Sequence, residues 1–264
     1  MSDRINVRNP NEISKLRKAG EVSARILMDL MPIIKPGITT KEIDDYAAEL
    51  FKREGCGNAF LGYGGYPGQL CISVNEVVVH GIGDNRTIHD GDIVSLDAGA
   101  IVDGWYGDNA MTVPVGNVNE DALRLLAVTE EALFRGIEQA KQGNPLSEVC
   151  GAIEDFVKPF GFGIVRDYVG HGVGRHLHED PSIPNYRPNY PLPRLKRGMI
   201  LAIEPMITLG TYRVKVLDDD WTAVTTDGSW AAHFEHTVAV GSHGGDILTE
   251  RPRIALPEQL GIML

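Results

Sequence analysis

Between Asn11 and Leu30, apolar residues recur at Ile13, Leu16, Ala19, Val22, Ile26, Leu27 and Leu30, the spacing of one buried helix face. Asn11 is the expected N-cap, and Pro32, Pro36 and Gly37 end the segment. Thr39, followed three positions later by Glu42, is a capping-box pattern. It opens a second helix that carries Ile43, Ala47 and Phe51 on one stripe, runs to Arg53 and closes at Gly55. Residues 60–70, rich in Gly and Tyr, read as a loop. Strands are predicted over 71–79, 92–101 and 105–114, the last two joined by Asp103-Gly104, the strongest hairpin signal in the chain. Further helices are expected after Asn119, through Leu123, Leu126, Glu130 and Phe134, and after Pro145, with Val149, Ile153 and Val157. Beyond residue 160 strands return at about 200–208, 212–217 and 233–240 among Gly-rich loops, and residues 241–264 read as a tail wrapping the body.

The pattern repeats. Lys35-Pro36-Gly37 with Glu42-Ile43 corresponds to Lys141-Gln142-Gly143 with Glu148-Val149 at an offset of 106, which also pairs Ala47 with Ile153, Phe51 with Val157 and Gly55 with Gly161. This implies an α+β fold: a single domain over residues 1–264 with pseudo-symmetric halves at approximately 11–115 and 119–240. Their strands would share one curved, antiparallel-rich sheet with helices on its outer face.

Composition narrows the function. With 43% hydrophobic and 23% charged residues the chain is of globular type, and a net charge of -11 argues against a nonspecific nucleic-acid binder, which needs Lys and Arg to displace counterions. Cys56, Cys71 and Cys150 form no CxxC pair and no disulfide framework, which suits a reducing compartment. The N-terminus has no apolar signal segment and no run is long enough to span a membrane, so the expected location is the cytoplasm, without a membrane partner. Ser2 after Met1 marks a start methionine that could itself be removed.

The chemistry begins at the hairpin. With Asp103-Gly104 as a two-residue turn, position 99 faces 108 and 97 faces 110, so Asp97 and Asp108 are diagonal neighbours on one face, roughly 7 Å apart. Their neighbours Ile93, Val94, Leu96, Ala98, Ala100 and Ile101 are apolar, and neither strand holds a Lys or Arg. Two such carboxylates repel unless something positive sits between them, and a divalent ion is the better candidate. His171 stands between glycines in Gly170-His171-Gly172-Val173-Gly174. Glu204 follows the apolar run Met199–Ile203, and Glu235 precedes the strand Thr237–Val240. Four carboxylates and one imidazole carry too much charge for a structural zinc site and suit two oxygen-liganded divalent ions. No HExxH, GxSxG, P-loop or dinucleotide fingerprint stands in a suitable context.

The run from Tyr168 through His171 and His178 to Pro181 resembles the signature of type I methionine aminopeptidases. So do Ser95–Gly99, Gly107-Asp108, Ile203–Met206, Phe234–Thr237, Gly62–Pro67, Cys71–Glu76 and His80-Gly81. The resemblance covers about residues 10–240 and implies the pita-bread fold and a metal-dependent removal of N-terminal methionine from new polypeptides, with a small second residue preferred. It implies two divalent ions per chain (Co, Mn, Fe or Zn). Asp97 would bind one, Asp108 and Glu235 would bridge both, and His171 with Glu204 would complete the other. It gives Glu204 a proton-shuttle role, His178 the stabilisation of the tetrahedral intermediate, and His80 a place near the substrate amine. Tyr63, Tyr66, Cys71, Leu177 and Trp221 would line the methionine pocket. Spacing alone does not separate His176 from His178, and His89, His233, His236 and His243 receive no ligand role. The resemblance further implies a monomer that meets nascent chains, possibly at the ribosome. Phe60 and Leu177 depart from common family choices and bear on substrate profile. An Xaa-Pro peptidase of the same fold and a metal-free binding module are the alternatives.

Overall fold

The computed structural model describes residues 5–255, so Ser2 and the part of the tail from residue 256 lie outside it. Four helices carry the apolar stripes: α1 (Pro10–Leu30), α2 (Thr40–Glu54), α3 (Glu120–Gln139) and α4 (Leu146–Val157). The N-cap of α1 is Asn9 rather than Asn11. Asn9 accepts from the backbone of Asn11 and Glu12, the Glu12 carboxylate returns to the Asn9 N–H, and Pro10 takes the first turn, where its missing N–H costs nothing. The predicted capping box of α2 is present at Thr39 and Glu42, and Gly55 closes that helix in the left-handed conformation. Asn119 caps α3 through the Ala122 N–H. α2 and α4 begin at Thr40 and Leu146, separated by the offset seen in sequence, and the glycines that follow them, Gly55 and Gly161, both have positive φ.

The strands are β1 (Gly57–Asn58), β2 (Cys71–Val74), β3 (Val77–Val79), β4 (Ile93–Val102), β5 (Trp105–Pro114), β6 (Gly163–Ile164), β7 (Gly170–Gly172) and β8 (Glu179–Ile183). After them come β9 (Ile200–Ile203), β10 (Met206–Thr208), β11 (Val214–Val216), β12 (Ala223–Thr225), β13 (Ala231–His233), β14 (His236–Val240) and β15 (Gly245–Ile247). All pairings are antiparallel. Among the described residues hydrogen bonding divides this antiparallel-rich layer into four ladders: β5-β4 edged by β1 and β2, then β13-β10-β6, β11-β12-β3, and β15-β14-β9-β7-β8. The hairpin register is as expected, with Gly99 opposite Asp108 and Asp97 opposite Ala110.

Three predicted strands are interrupted, each for a visible reason. The 71–79 run turns at Asn75-Glu76, where Asn75 has positive φ. The 200–208 run breaks at Glu204-Pro205 and the 233–240 run at Phe234-Glu235. At both of the latter breaks the chain changes sheets, because β9 and β14 belong to the five-stranded sheet while β10 and β13 belong to a three-stranded one. Glu204 and Glu235 therefore sit at the crease between sheets and not within a strand.

α1 packs on the β4–β5 hairpin at unusually short range. A Cβ on Gly107 would lie 2.3 Å from the Gly20 nitrogen and 2.4 Å from the Ala19 carbonyl carbon, and the Ser23 hydroxyl donates to the Ala98 carbonyl at 2.7 Å. Residues up to Ala255 pack back onto α3. Fully buried Glu130 on α3 pairs with Arg251 at 3.3 Å and accepts the Ile254 and Ala255 N–H groups. Backbone cannot yield to a methyl group here, so Gly107→Ala is expected to lower stability by about 1–3 kcal/mol. It should be read as a lower urea midpoint at unchanged m.

Candidate metal centre

The hairpin places Asp97 and Asp108 on one face, and two reciprocal threonine contacts clamp the second half of the chain against it. Thr237 Oγ1 donates to the Asp108 carbonyl at 2.8 Å and accepts the Asp108 N–H at 3.2 Å. Thr112 Oγ1 donates to the His233 carbonyl and accepts the His233 N–H, both at 2.9 Å. The Glu235 N–H donates to the Ala110 carbonyl at 2.8 Å. Together they bring the Glu235 crease over the hairpin. His171 arrives on β7, paired to Ala202 of β9, where its flanking glycines are required by space. A Cβ on Gly170 would lie 2.4 Å from the Ala202 carbonyl oxygen, and one on Gly172 2.2 Å from that of Asp180.

The five groups converge. Donor atoms of Asp108, His171 and Glu235 lie within 4.8 Å of one another. His171 Nε2 is 3.7 Å from Asp108 Oδ2 and 3.4 Å from Glu204 Oε1. Asp97 is the diagonal neighbour of Asp108 on the hairpin and lines the same cleft as the other four. Burial first, then the neighbouring carboxylates, holds Asp97, Glu204 and Glu235 well above the usual carboxylate range, and burial pushes Asp108 up to about 7. Burial, with His178 nearby, drives His171 down to about 3. Its Nδ1 faces the Gly172 carbonyl at 2.9 Å, an oxygen that only accepts, so Nδ1 carries the proton and Nε2 offers its lone pair to the cluster.

These residues fit a divalent cation. Asp97 Oδ1, Asp108 Oδ1 and Glu235 Oε1 are buried without a hydrogen-bond partner, and among the described residues no Lys or Arg pairs with any of the four acids. Arg251 contributes only a small opposing effect on Glu235. Buried carboxylates in such a state need positive charge.

A cleft enclosing about 760 Å³ opens over the cluster and is lined by every residue that the resemblance assigned to pocket or catalysis: Tyr63, Tyr66, Cys71, Leu177, Trp221, His80 and His178. Cys71 lies opposite Asp97 on β2, and burial with that neighbour pushes its thiol well up, so it serves as an apolar wall and not as a thiolate. Tyr63 stands at the rim, 46% exposed, with its hydroxyl 2.7 Å from His178 Nδ1. His80, left-handed at φ 60, presents its ring edge-on to Tyr168 and Trp221, and burial takes it down to about 4. His176 does not line the cleft, which separates it from His178.

The His178 loop is held from below by Glu179. That carboxylate accepts from Asn6 at 2.8 Å, from Arg8, and from the Arg175 and His176 N–H groups at 2.7 and 3.2 Å. Sequence reasoning gave Arg8 and Glu179 no part, because charges at such separation carry no local pattern. It also gave none to Tyr168, Met206 and His233, all of which line the cleft. Alternation of His233 with Glu235 was the available signal for the last.

Comparison with known proteins yields a consistent set of relatives. A family model described as metallopeptidase family M24 matches residues 14–242. Methionine aminopeptidase 1 of Bacillus subtilis is 50% identical over 242 residues, spanning 92% of this chain and 98% of that protein. The crystal structure of methionine aminopeptidase from Thermotoga maritima superimposes with a TM-score of 0.91 at 46% identity, covering 94% of this chain and 100% of that one. The prolidase from Pyrococcus furiosus gives a TM-score of 0.75 at 27% identity, with 95% of this chain matched to 66% of that one.

The buried carboxylates have a pH signature. Asp108, near 7 when folded against an ordinary 3.8, holds a proton that the unfolded chain has released, so stability falls as pH rises through that interval. The depressed histidines act in the opposite sense, but against an ordinary value of 6.5 their contribution is complete above it. Chelator-treated protein should therefore melt at progressively lower temperature from about pH 6.5 to about pH 8, and saturating Mn²⁺ should abolish that slope. A flat or rising profile without metal would contradict unpaired buried carboxylates.

Proposed function

Because the chain belongs to metallopeptidase family M24, we propose that its cleft removes the N-terminal methionine of polypeptides, a metal-dependent aminopeptidase reaction on a pita-bread scaffold. The observation that carries this reading is the convergence of Asp108, His171, Glu204 and Glu235, with Asp97 beside them, beneath an apolar cleft. Four carboxylates exceed what one divalent ion needs. We assign two ions, which Asp97, Asp108, Glu235, His171 and Glu204 would hold between them. Cobalt, manganese, iron and zinc all suit this donor set, and cellular supply selects among them. Such ions supply a water acidic enough to ionise near neutral pH and a polarised carbonyl.

The protein's own groups do the rest. Glu204, its carboxylate pKa raised by burial and by Asp108 and Asp97, can take a proton from the attacking water and hand it to the departing amine. The Tyr63 hydroxyl engages His178 Nδ1, which leaves Nε2 as the donor toward the oxygen on which charge develops. His80, kept neutral by burial, lines the cleft and would meet the substrate amine. Tyr66, Cys71, Leu177 and Trp221, with Phe60, form a soft, narrow wall suited to an unbranched thioether. We read the substrates as N-termini of nascent polypeptides with a small second residue, met in the cytoplasm as they leave the ribosome by a monomeric single-domain enzyme built of two halves. Among the described residues no helix is long and apolar enough to cross a membrane.

Cleavage of Xaa-Pro bonds is the second reading, supported by the prolidase likeness, but that match has lower identity and leaves a third of the other chain uncovered. A metal-free binding module accounts for none of the unpartnered acids. The deciding experiment strips the protein with chelator, restores each divalent ion, and compares Met-Ala-Ser with Xaa-Pro peptides. Methionine release should return with at least one ion, and Glu204→Gln should reduce kcat by about 100-fold or more. Preference for the proline peptides would overturn the assignment, and inactivity with every ion would favour the binding module.

A further inference from the structure

His233 ends β13, two residues before Glu235, and points into the cleft from the crease. It is 2% exposed, and its Nε2 is buried without a hydrogen-bond partner. Its nearest polar neighbour is Glu204, whose Oε2 lies 3.4 Å away, while Oε1 of the same carboxylate lies 3.4 Å from His171 Nε2. Glu204 thus stands between two imidazoles, one at each oxygen.

The two contacts differ in kind. His171 spends its ring proton on the Gly172 carbonyl, so it meets Oε1 with a lone pair, an arrangement that an ion between them satisfies. Nothing comparable joins His233 to the cluster, and the donor atoms of Asp108, His171 and Glu235 gather without it. A lone pair on His233 Nε2 facing carboxylate Oε2 would be repulsive, whereas an N–H there is attractive. At 3.4 Å the two groups approach without a formed hydrogen bond, a few tenths of an ångström outside the usual N–H···O range. The His233 backbone is fixed by Thr112 on both its N–H and its carbonyl, so the ring is delivered to Glu204 by the same clamp that joins the two halves.

We propose that His233 is a positioning residue for Glu204: its Nε2–H holds Oε2, which directs Oε1 to the metal and fixes the orientation in which Glu204 handles the proton. The proposal rests on Glu204 being a metal ligand. Outer partners of this kind commonly change metal affinity by about 10- to 100-fold.

Calorimetric titration of chelator-treated protein with Mn²⁺, alongside kcat and KM on Met-Ala-Ser with saturating ion, tests it. His233→Leu, close in volume and unable to donate, should weaken binding of the ion by about 10-fold or more and lower kcat with little change in KM. His233→Gln, which restores a donor, should recover most of both. Wild-type affinity and kcat in His233→Leu would overturn the proposal. So would a His233→Gln that folds yet loses as much as His233→Leu, since that would make the imidazole a ligand. Glu204→Gln in the same titration separates the levels. Unchanged binding there removes the Glu204 assignment itself, whereas loss there with none in His233→Leu removes only the role of His233.

Discussion

Mutual repulsion among buried carboxylates is the constraint around which this molecule is arranged. Asp97, Asp108, Glu204 and Glu235 are buried together, and among the described residues no Lys or Arg forms an ion pair with any of them, Arg251 opposing the burial of Glu235 only weakly. Such a cluster does not assemble for stability's sake, because each group pays desolvation and then meets like charge. It persists because the surrounding packing over-determines its position, and because a divalent ion turns the same geometry from repulsive to attractive.

That over-determination has identifiable parts. The β4–β5 hairpin supplies a rigid face, pressed from behind by α1 at the Gly20–Gly107 approach. Thr112 and Thr237 lock β13 and β14 onto it through paired backbone hydrogen bonds. Behind the crease, Arg251 reaches the Ala110 carbonyl at 2.9 Å while pairing with Glu130, so the C-terminal segment also bears on the strand that faces Glu235. Asp97 and Asp108 project from the hairpin, whereas Glu204 and Glu235 lie where strands change sheets, at the crease that faces it.

The cleft mouth follows a different logic. His178 is exposed and stands on a loop, yet Tyr63 holds its ring and the Glu179 carboxylate gathers Asn6, Arg8 and two backbone N–H groups beneath it. Arg175 closes over Trp105 at 3.9 Å and so fastens the same loop to the hairpin. A group that must meet substrate is thereby kept accessible without being left loose.

Local signals were legible where the physics is local. Capping boxes, the left-handed Gly55, the Asp103-Gly104 turn and hence the shared face of Asp97 and Asp108 follow from spacings of two to four residues, over which backbone geometry is fixed. Apolar and Gly-rich framing singled out His171, Glu204 and Glu235, and resemblance added their assignment and the pocket wall, all of which line one cleft. The Asn9–Glu12 box is equally local, although Asn11 is the cap expected in its place. The interruptions at Glu204-Pro205 and Phe234-Glu235, the division of the sheet, and the parts of Arg8, Glu179 and His233 were decided by the tertiary structure. The sheet changes, the Glu179 staple and the orphaned His233 nitrogen depend on contacts between segments tens to hundreds of residues apart, and such contacts leave no periodicity along the chain. The sequence by itself determined which chemical groups were available and which of them one hairpin would align; only the folded crease decided which others would meet them.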